Sequence, residues 1–244
     1  MNDQRNNNSE ELTKKDIKMM RTRKIIIEAA KSLFSKKSFD MITMEEIADL
    51  AALSRATLYN YFKTKEEIYF NIGISKLKEW IEQNQLLNSN NYSGKEYILL
   101  LTENLVEDLL EFPVYSRLLR RFFYRSDELN IPIEKIFYEK LIEKKRSSNS
   151  IKIKTLDKVF LDLLNYYIDY RLLWQKNIET GLKDGSIRTA SNPSHLNFII
   201  IMIIFGLLDQ IDFRRTLMDL VELSNEQIKS FILNLIKKFL EGEI

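Results

Sequence analysis

Residues 43–70 read TMEEIADLAALSRATLYNYFKTKEEIYF, and their pattern predicts three consecutive helices. The capping box that opens a helix, a Thr followed three residues later by a Glu, stands at Thr43 and again at Thr64. The first helix is short and ends in a tight turn at residues 51–53, after which Ser54 caps the second helix. Two short helices joined by a tight turn form the helix-turn-helix arrangement.

The second of these helices has an outward face suited to DNA. Leu58 and Phe62, four residues apart, turn inward, and small, polar and aromatic residues remain outside. A recognition helix must be slim enough for the major groove, and its hydroxyl, amide and guanidinium groups bond base edges and phosphates. The candidate DNA-binding residues are Thr43, Ser54, Arg55, Ala56, Thr57, Tyr59, Asn60, Tyr61, Lys63 and Lys65.

The segment before the helix-turn-helix is strongly basic. Between Lys14 and Lys37, nine Lys or Arg residues stand against two acids, a charge of +7 in a chain whose total is +2. Apolar residues recur with helical spacing between residues 17 and 36, so we expect a first helix that carries these bases. A basic helix beside a helix-turn-helix is the electrostatic footprint of a DNA-binding protein, although a solvated helix face would give the same pattern.

Residues 21–70 resemble the DNA-binding domain of the TetR family of transcriptional regulators, chiefly through the motif TLYxYFxxKE that begins at Thr57. Ser38 and Ala52 stand where that family usually has Gly, and Ala52 would be strained by about 1 kcal/mol if its φ were positive. The other matching elements are Ile27-x-x-Ala30, Leu33-Phe34, Phe39-Asp40, Thr43, Ile47-Ala48 and Ser54. The resemblance implies a dimeric regulator whose C-terminal domain binds a small molecule, which moves the fourth helix and changes the spacing of the recognition helices.

The composition favours an all-α fold and excludes several classes of enzyme. The 244 residues include 6 Gly and 3 Pro, too few for the many turns of sandwiches and barrels. Cys is absent and His195 is the single His, so disulfides, thiolate metal sites and Cys nucleophiles are excluded. No residues have the spacing of metal ligands or of a Gly-rich phosphate loop, so we expect no metal and no cofactor.

The most polar and the most apolar segments of the sequence both predict a cytoplasmic protein. The N-terminal residues 1–12 are polar, without the apolar segment of a signal peptide. The longest apolar run, residues 198–208, is shorter than the roughly 18 residues that span a bilayer. This run predicts a buried helix.

We expect a disordered tail at residues 1–12, a helix-turn-helix domain of three helices at 13–67, and a helical effector-binding and dimerisation domain at 68–244. The second domain shows helical periodicity bounded by Pro, Gly and polar links. A helix is expected to end at Gly181 in the stretch GLKDGSIR, which also resembles the family. The expected helices are residues 94–112, 114–126, 132–145, 155–181, 193–210 and 225–241.

Two sets of side chains in the second domain are candidate sites. Ligand pockets in helical domains are mostly apolar with a few polar groups, and a buried phenol needs a partner, although plain core packing would use the same residues. The helix of residues 193–210 is apolar nearly all round, so a partner subunit would cover its second side. Candidate pocket residues are Phe122, Phe123, Phe137, Tyr138, Tyr166, Tyr167, Tyr170 and Trp174. Candidate dimer residues are Phe198, Ile201, Met202, Phe205, Ile228, Phe231, Ile232 and Leu235.

These patterns predict a ligand-responsive repressor that binds a palindromic operator in double-stranded DNA as a homodimer, and not an enzyme. Phosphate contacts are expected from Thr43, Tyr61, Lys63, Lys65 and the basic first helix, and base contacts from Arg55, Thr57, Tyr59 and Asn60. An activator or a regulator controlled by a protein would share every feature. A helical interaction module that does not bind DNA is a further alternative.

Overall fold

The computed structural model describes residues 13–86, 92–142, 158–189, 191–213 and 222–243, and across these ranges the fold is all-α, as predicted, with no strand. The expected tail at 1–12 and the expected loop at 147–150 lie outside the described residues. Ten α-helices are described: α1 Lys14–Lys36, α2 Met44–Leu50, α3 Arg55–Tyr61, α4 Lys65–Leu86, α5 Gly94–Glu111, α6 Val114–Glu128, α7 Ile133–Ile142, α8 Lys158–Lys183, α9 Pro193–Phe213 and α10 Asn225–Glu241.

The chain divides into two compact units, one ending at Ile68 and the other beginning at Tyr69. In the first unit, α1, α2 and α3 surround a small core, and a 3₁₀ turn at Phe39–Met41 joins α1 to α2. Helix α1 begins three residues before the expected Ile17, because Thr13 and Asp16 form a capping box. The core residues of this unit are Ile26, Ala29, Ala30, Phe34, Ile42, Met44, Ile47, Ala48, Leu58 and Phe62.

In the second unit, α5 and α8 pack against each other and form the centre. Helix α10 packs on α5, α7 packs on α8, and α9 contacts α5, α6 and α8. Apolar side chains from each helix meet between them, among them Leu105 of α5 and Leu163 of α8, both fully buried. The arrangement is that of helices layered around a single hydrophobic core.

The helix predicted to end near Gly181 continues two residues farther, to Lys183, and the left-handed glycine of the stretch GLKDGSIR is Gly185, with φ +75°. Gly181 itself lies where α5 crosses α8. A Cβ on Gly94 would lie 2.0 Å from the backbone N of Gly181, so the first turn of α5 crosses α8 at a distance that only glycine permits. The turn after α8 then caps α5, since Asp184 accepts from the N–H of Gly94 (2.9 Å) and Ser186 accepts from that of Lys95 (3.0 Å).

Candidate nucleic-acid interface and the helical second unit

Side-chain caps begin α2 and α3 and fix the helix-turn-helix. The Thr43 hydroxyl accepts from the N–H of Glu46 (3.2 Å), and the Glu46 carboxylate accepts from the N–H of Thr43 (2.9 Å). Ser54 accepts from the N–H of Thr57 (3.1 Å) at the start of α3. Between the helices, Ala52 has φ +54°, so the strain expected for Ala at this position is present.

Helix α3 presents the polar face that its sequence predicts. Leu58 and Phe62 are fully buried, and Tyr59 is 41% exposed. The Arg55 guanidinium lies 3.3 Å from a Glu45 carboxylate oxygen, an exposed contact that leaves its side chain accessible to a partner. Of the other candidate residues, Thr43, Ser54, Ala56, Asn60 and Lys63 are exposed and Thr57, Tyr61 and Lys65 are half-buried.

Three basic residues around α3 bond backbone carbonyls, a role that their sequence pattern did not reveal. Lys63 donates to the carbonyl of Tyr59 (2.8 Å), and Arg23 of α1 donates to that of Tyr61 (3.3 Å). The Arg23 guanidinium also lies 4.3 Å from the centre of the Phe62 ring. Lys65 donates to three carbonyls before α2. These bonds place positive groups at backbone carbonyls near the ends of α3 and of the 3₁₀ turn.

The N-terminal half of α1 carries an exposed basic surface. The exposed bases there are Lys14, Lys15, Lys18, Arg21 and Lys24. Their field is positive over three turns, with Asp16 as the single acid among residues 13–27. Farther along the chain, Lys37 pairs with Glu46 at 2.6 Å.

The aromatic residues predicted to line a pocket form a packed cluster in the second unit. The Phe122 ring lies 5.1 Å from Phe160 and 5.6 Å from Tyr167, centre to centre. Tyr170 lies between Trp80 (5.4 Å) and Trp174 (6.1 Å). Burial raises the pKa of both Tyr167 and Tyr170 well above the ordinary value, so both phenols stay neutral. Phe137 and Trp174 are also fully buried, and Phe123, Tyr138 and Tyr166 are half-buried.

Beside this cluster lies a buried polar group of α4 and α5 that sequence reasoning missed. The Lys76 ammonium, 6% exposed, bonds Asp108 at 2.8 Å and Glu79 at 3.0 Å, and the Trp80 indole donates to Asp108 at 2.6 Å. Burial acts to lower the pKa of Lys76, but the hydrogen bonds that its ammonium donates to Asp108 and Glu79 outweigh this effect, and the pKa is raised. The lysine therefore stays charged inside the unit.

Three buried polar atoms near these helices have no hydrogen-bond partner among the residues that the structure describes. They are the side-chain oxygens of Asn84 and Gln175 and the indole nitrogen of Trp174. A buried polar group without a partner is costly, so such atoms mark positions where a water or a ligand group would be stabilised.

Arg171 forms a second buried network that links three helices. Its side chain is 1% exposed and makes two bonds to Glu134 of α7, at 2.6 and 2.7 Å. It also donates twice to the Asn197 oxygen of α9, at 2.9 and 3.0 Å, and Asn197 donates to the Arg171 carbonyl at 2.9 Å. The guanidinium lies 4.0 Å from the centre of the Phe137 ring. No local motif predicts it, because the partners lie 26 and 37 residues away.

An open cleft of about 470 Å³ lies on the surface between α5 and α10. Leu99, Leu100 and Leu233 form its apolar part, and Glu103 and Lys237 stand among its polar residues. The cleft does not include any residue of the predicted pocket.

The predicted dimer residues separate into two groups. Ile201, Ile228 and Ile232 are buried within this chain, and their assignment to a subunit interface stays a prediction. The remaining residues are accessible. Phe198 (38% exposed) and Met202 (56%) lie on α9, Phe231 (62%) lies on α10, and Phe205 and Leu235 are half-buried.

The described residues contain no group of three or more His, Cys, Asp or Glu side chains placed to hold a metal ion. Within those ranges, no helix has the length and apolarity needed to cross a membrane.

The helix-turn-helix is similar to that of known transcriptional regulators. Residues 26–72 match the family described as "Bacterial regulatory proteins, tetR family". The HTH-type transcriptional regulator YhgD of Bacillus subtilis is 25% identical over 189 residues, 76% of this chain and 82% of that protein. The dhaKLM operon transcriptional activator DhaS of Lactococcus lactis is 34% identical over 92 residues, but these are 36% of this chain and 44% of DhaS.

A solved structure extends the similarity of fold to both units. The crystal structure of the transcriptional regulator FadR from Bacillus subtilis in complex with stearoyl-CoA matches 87% of this chain and 96% of its own, with a TM-score of 0.60 and 16% identity.

Proposed function

We propose that this chain, a helix-turn-helix transcriptional regulator with a DNA-binding domain of the tetR family, is a ligand-responsive repressor that binds a palindromic operator as a homodimer. The observation that carries the proposal is the face of α3. Leu58 and Phe62 anchor that helix in the core, and Arg55, Tyr59 and Asn60 are left exposed. Polar side chains on a slim, rigidly capped helix suit the major groove.

Some side chains of α3 and its surroundings would contact bases, and others would contact phosphates. Arg55 can make a bidentate contact to the O6 and N7 of guanine, and Asn60 can do so to adenine, so these residues and Thr57 and Tyr59 would read bases. Thr43, Ser54, Tyr61, Lys63 and the exposed bases of α1 would bind phosphates and set the register. The Arg55–Glu45 contact is exposed, so its loss on binding DNA costs little.

A second copy of the chain would cover the exposed apolar side chains of α9 and α10. Phe198, Met202 and Phe231 are large and accessible, and exposed large apolar side chains on these two helices favour a subunit interface. A twofold dimer would present two recognition helices to half-sites about one helical turn, ≈ 34–36 Å, or a multiple of it apart.

The effector would bind in the second unit, among the aromatic side chains and the unpartnered polar atoms of Asn84, Trp174 and Gln175. The neutral phenols and indoles suit a ligand with apolar bulk, and the free donor and acceptors would orient its polar groups. A regulator of similar fold was solved with stearoyl-CoA, which supports a site of this kind. The effector must favour one spacing of the recognition helices, because equal affinity for both states shifts nothing.

Two further proposals concern catalysis and the location of the protein in the cell. The chain would act by binding, without catalysis, since its relatives are regulators of transcription and no described residues form a metal site. It would work in the cytoplasm, where its DNA is. An activator remains the second candidate, favoured by the similarity to DhaS, which is named as an activator.

Selection of random DNA duplexes by the purified chain at two salt concentrations tests the proposal. Enrichment of a palindrome with half-sites about one helical turn apart is the expected result. Light scattering with and without the duplex reports whether one dimer binds it. A monomer in solution and on DNA would contradict the dimer, and the absence of enrichment, repeated after unfolding and refolding to remove any bound effector, would contradict DNA binding. Placing the selected sequence between a promoter and a reporter then distinguishes repression from activation.

A further inference from the structure

Lys65, at the first residue of α4, has an unusual set of partners. Its ammonium donates to the carbonyls of Phe39 (2.8 Å) and Ile42 (2.8 Å), with a longer bond to that of Asp40 (3.4 Å). It also lies 4.5 Å from the centre of the Phe39 ring. The three carbonyls belong to the 3₁₀ turn and the residue that follows it, 23 to 26 positions earlier in the chain.

All hydrogen-bond donors of the Lys65 ammonium have acceptors within the first unit. A lysine ammonium has three donors, and each faces a carbonyl that the short turn leaves exposed at its end. A cation at the first residue of a helix is disfavoured by the helix dipole, so the placement of Lys65 needs a compensating interaction. The carbonyls of the turn and the ring of Phe39 supply it. A phosphate contact would have to break these bonds.

The turn that Lys65 holds determines where α2 begins. Ile42 is fully buried and directly precedes Thr43, the capping residue of α2. On its other side, the ring of Phe39 stacks on Phe34 of α1 at 5.7 Å. Helix α2 in turn contacts α3. A shift of this turn would therefore move the start of α2 and change the presentation of the recognition helix.

We propose that Lys65 is a positioning residue, whose ammonium clamps residues 39–42 so that α2 and α3 meet DNA in the orientation that reads bases. The inference rests on the proposed DNA binding and changes the role expected for Lys65, from a phosphate contact to an internal clamp. Loss of a phosphate contact weakens binding to all DNA, whereas loss of the clamp weakens binding to the operator selectively.

The test compares the wild type with Lys65→Met, which keeps the aliphatic stem and removes the donors. Affinity is measured for the selected operator and for a scrambled duplex across a range of salt concentrations, well below the unfolding temperature. We expect operator affinity to fall by about tenfold or more, affinity for the scrambled duplex to change by less than about twofold, and the slope of log K against log salt to stay the same. Lys24→Met, at one of the exposed α1 bases proposed to bind phosphates, is the matched comparison: it should weaken binding to both duplexes alike and reduce the salt slope by about 0.9.

Two results would overturn the clamp. An equal loss on both duplexes, with the salt slope reduced by about 0.9, would show that Lys65 contacts a phosphate. A lower melting temperature with unchanged operator affinity would show a structural role alone. Phe39→Leu is a second variant, which keeps the lysine charge and removes the ring beside the ammonium. If Lys65 is a clamp, operator affinity should fall selectively, but by less than in Lys65→Met. If Lys65 contacts a phosphate, operator affinity should not fall selectively.

A measurement without DNA separates this inference from the proposed function. The amides of Met41 and Ile42 bond Ser38 and Phe39 in the turn. In Lys65→Met we expect their hydrogen exchange to be at least about fivefold faster than in the wild type, with exchange in α1 unchanged. Unchanged exchange at both amides would overturn the clamp, whereas failure of the wild type to bind any duplex would overturn the proposed function and leave this comparison valid.

Discussion

The two units of the molecule place their charged and polar groups in opposite ways. In the first unit most of them lie at the surface, and its helix caps join neighbours in the sequence, as in the capping box of Thr43 and Glu46. The half-buried Arg23 and Lys65 instead bond carbonyls 23 to 38 positions away. In the second unit, Lys76 and Arg171 are almost fully buried and bond residues of other helices. Surface groups stay available for a partner, whereas buried groups satisfied within the chain specify how its helices pack.

This difference predicts opposite effects of substitution. In the first unit, replacing an exposed polar residue should change DNA binding and leave stability nearly unchanged. In the second, removing one member of a buried network leaves its partners without hydrogen bonds inside the protein. The following predictions test that contrast.

Arg171→Met should have the largest effect on stability. The substitution removes two bonds to Glu134 and two to the fully buried Asn197. Breaking a buried charge network costs about 3–5 kcal/mol, so we expect the free energy of unfolding in urea to fall toward the lower part of that range, since Glu134 is 40% exposed. Arg125→Met, at an exposed pair with Glu128, is the control and should cost less than about 1 kcal/mol. Equal losses in the two variants would contradict the contrast.

Gly94→Ala should also destabilise the second unit, by about 3 kcal/mol. Its Cβ would meet the backbone of Gly181 at 2.0 Å, so α5 would have to move away from α8 and lose its caps from Asp184 and Ser186. Gly185→Ala is the matched control, because its Cβ would meet nothing within 4 Å and only the positive φ is strained, at a cost of about 1 kcal/mol. Thermal unfolding of the variants gives both values. A milder effect at position 94 than at 185 would show that α5 and α8 can separate freely.

These two sites show why the sequence predicts the first unit better than the second. The caps at Thr43 and Ser54 join residues three apart, so their spacing is visible in the sequence, and the structure confirms both. Gly94 and Gly181 are 87 positions apart, and nothing in the sequence near either one indicates the other. Sequence reasoning accordingly used Gly181 only as a sign that a helix ends nearby, and it did not show that Gly94 of α5 lies against it.

The same limit applies to individual side chains of the candidate sites. Exposed residues of α3 follow from the helical periodicity that buries Leu58 and Phe62. The partners of Lys65 do not follow from any pattern near it, because they lie more than twenty residues earlier in the chain. The sequence around Lys65 is compatible both with a lysine exposed to solvent and with one bonded to carbonyls. The same limit holds for the apolar residues of α9 and α10, which helical periodicity predicts to be buried. Periodicity does not show that Ile232 lies in the core of this chain and Phe231 on its surface.

Arg55→Ala should change recognition and leave stability within about 0.5 kcal/mol. Its side chain is 68% exposed, and its contact with Glu45, at 3.3 Å, is exposed as well. Loss of a bidentate contact to guanine should cost about 1–3 kcal/mol of discrimination at one base pair of each half-site. Competition binding with operators changed at single positions measures the loss, and urea unfolding measures stability. If discrimination falls at every position alike, Arg55 contacts phosphate and does not read a base.

Ala52→Gly should stabilise the first unit by about 0.5–1 kcal/mol. The strain of Ala at φ +54° in the turn between α2 and α3 disappears, and the greater entropy of Gly in the unfolded chain offsets part of the gain. Thermal unfolding of the variant measures the effect, with Ala56→Gly in α3 as the control, which should destabilise by about 1 kcal/mol. Destabilisation by both substitutions would mean that the turn accommodates Ala without strain.

Glu46→Gln should produce the smallest effect, and one that depends on pH. The hydrogen bond from Lys37, together with that from the Thr43 N–H, lowers the pKa of Glu46 below its ordinary 4.5. Because the folded-state pKa is lowered, the stabilisation is complete above pH 4.5 and is lost as the pH falls through the lowered value. The melting temperatures of wild type and variant should therefore differ most near pH 6 and converge toward pH 3. A gap that stays constant over this range would show that the Glu46 charge does not stabilise the start of α2, and that the box acts there through neutral hydrogen bonds alone.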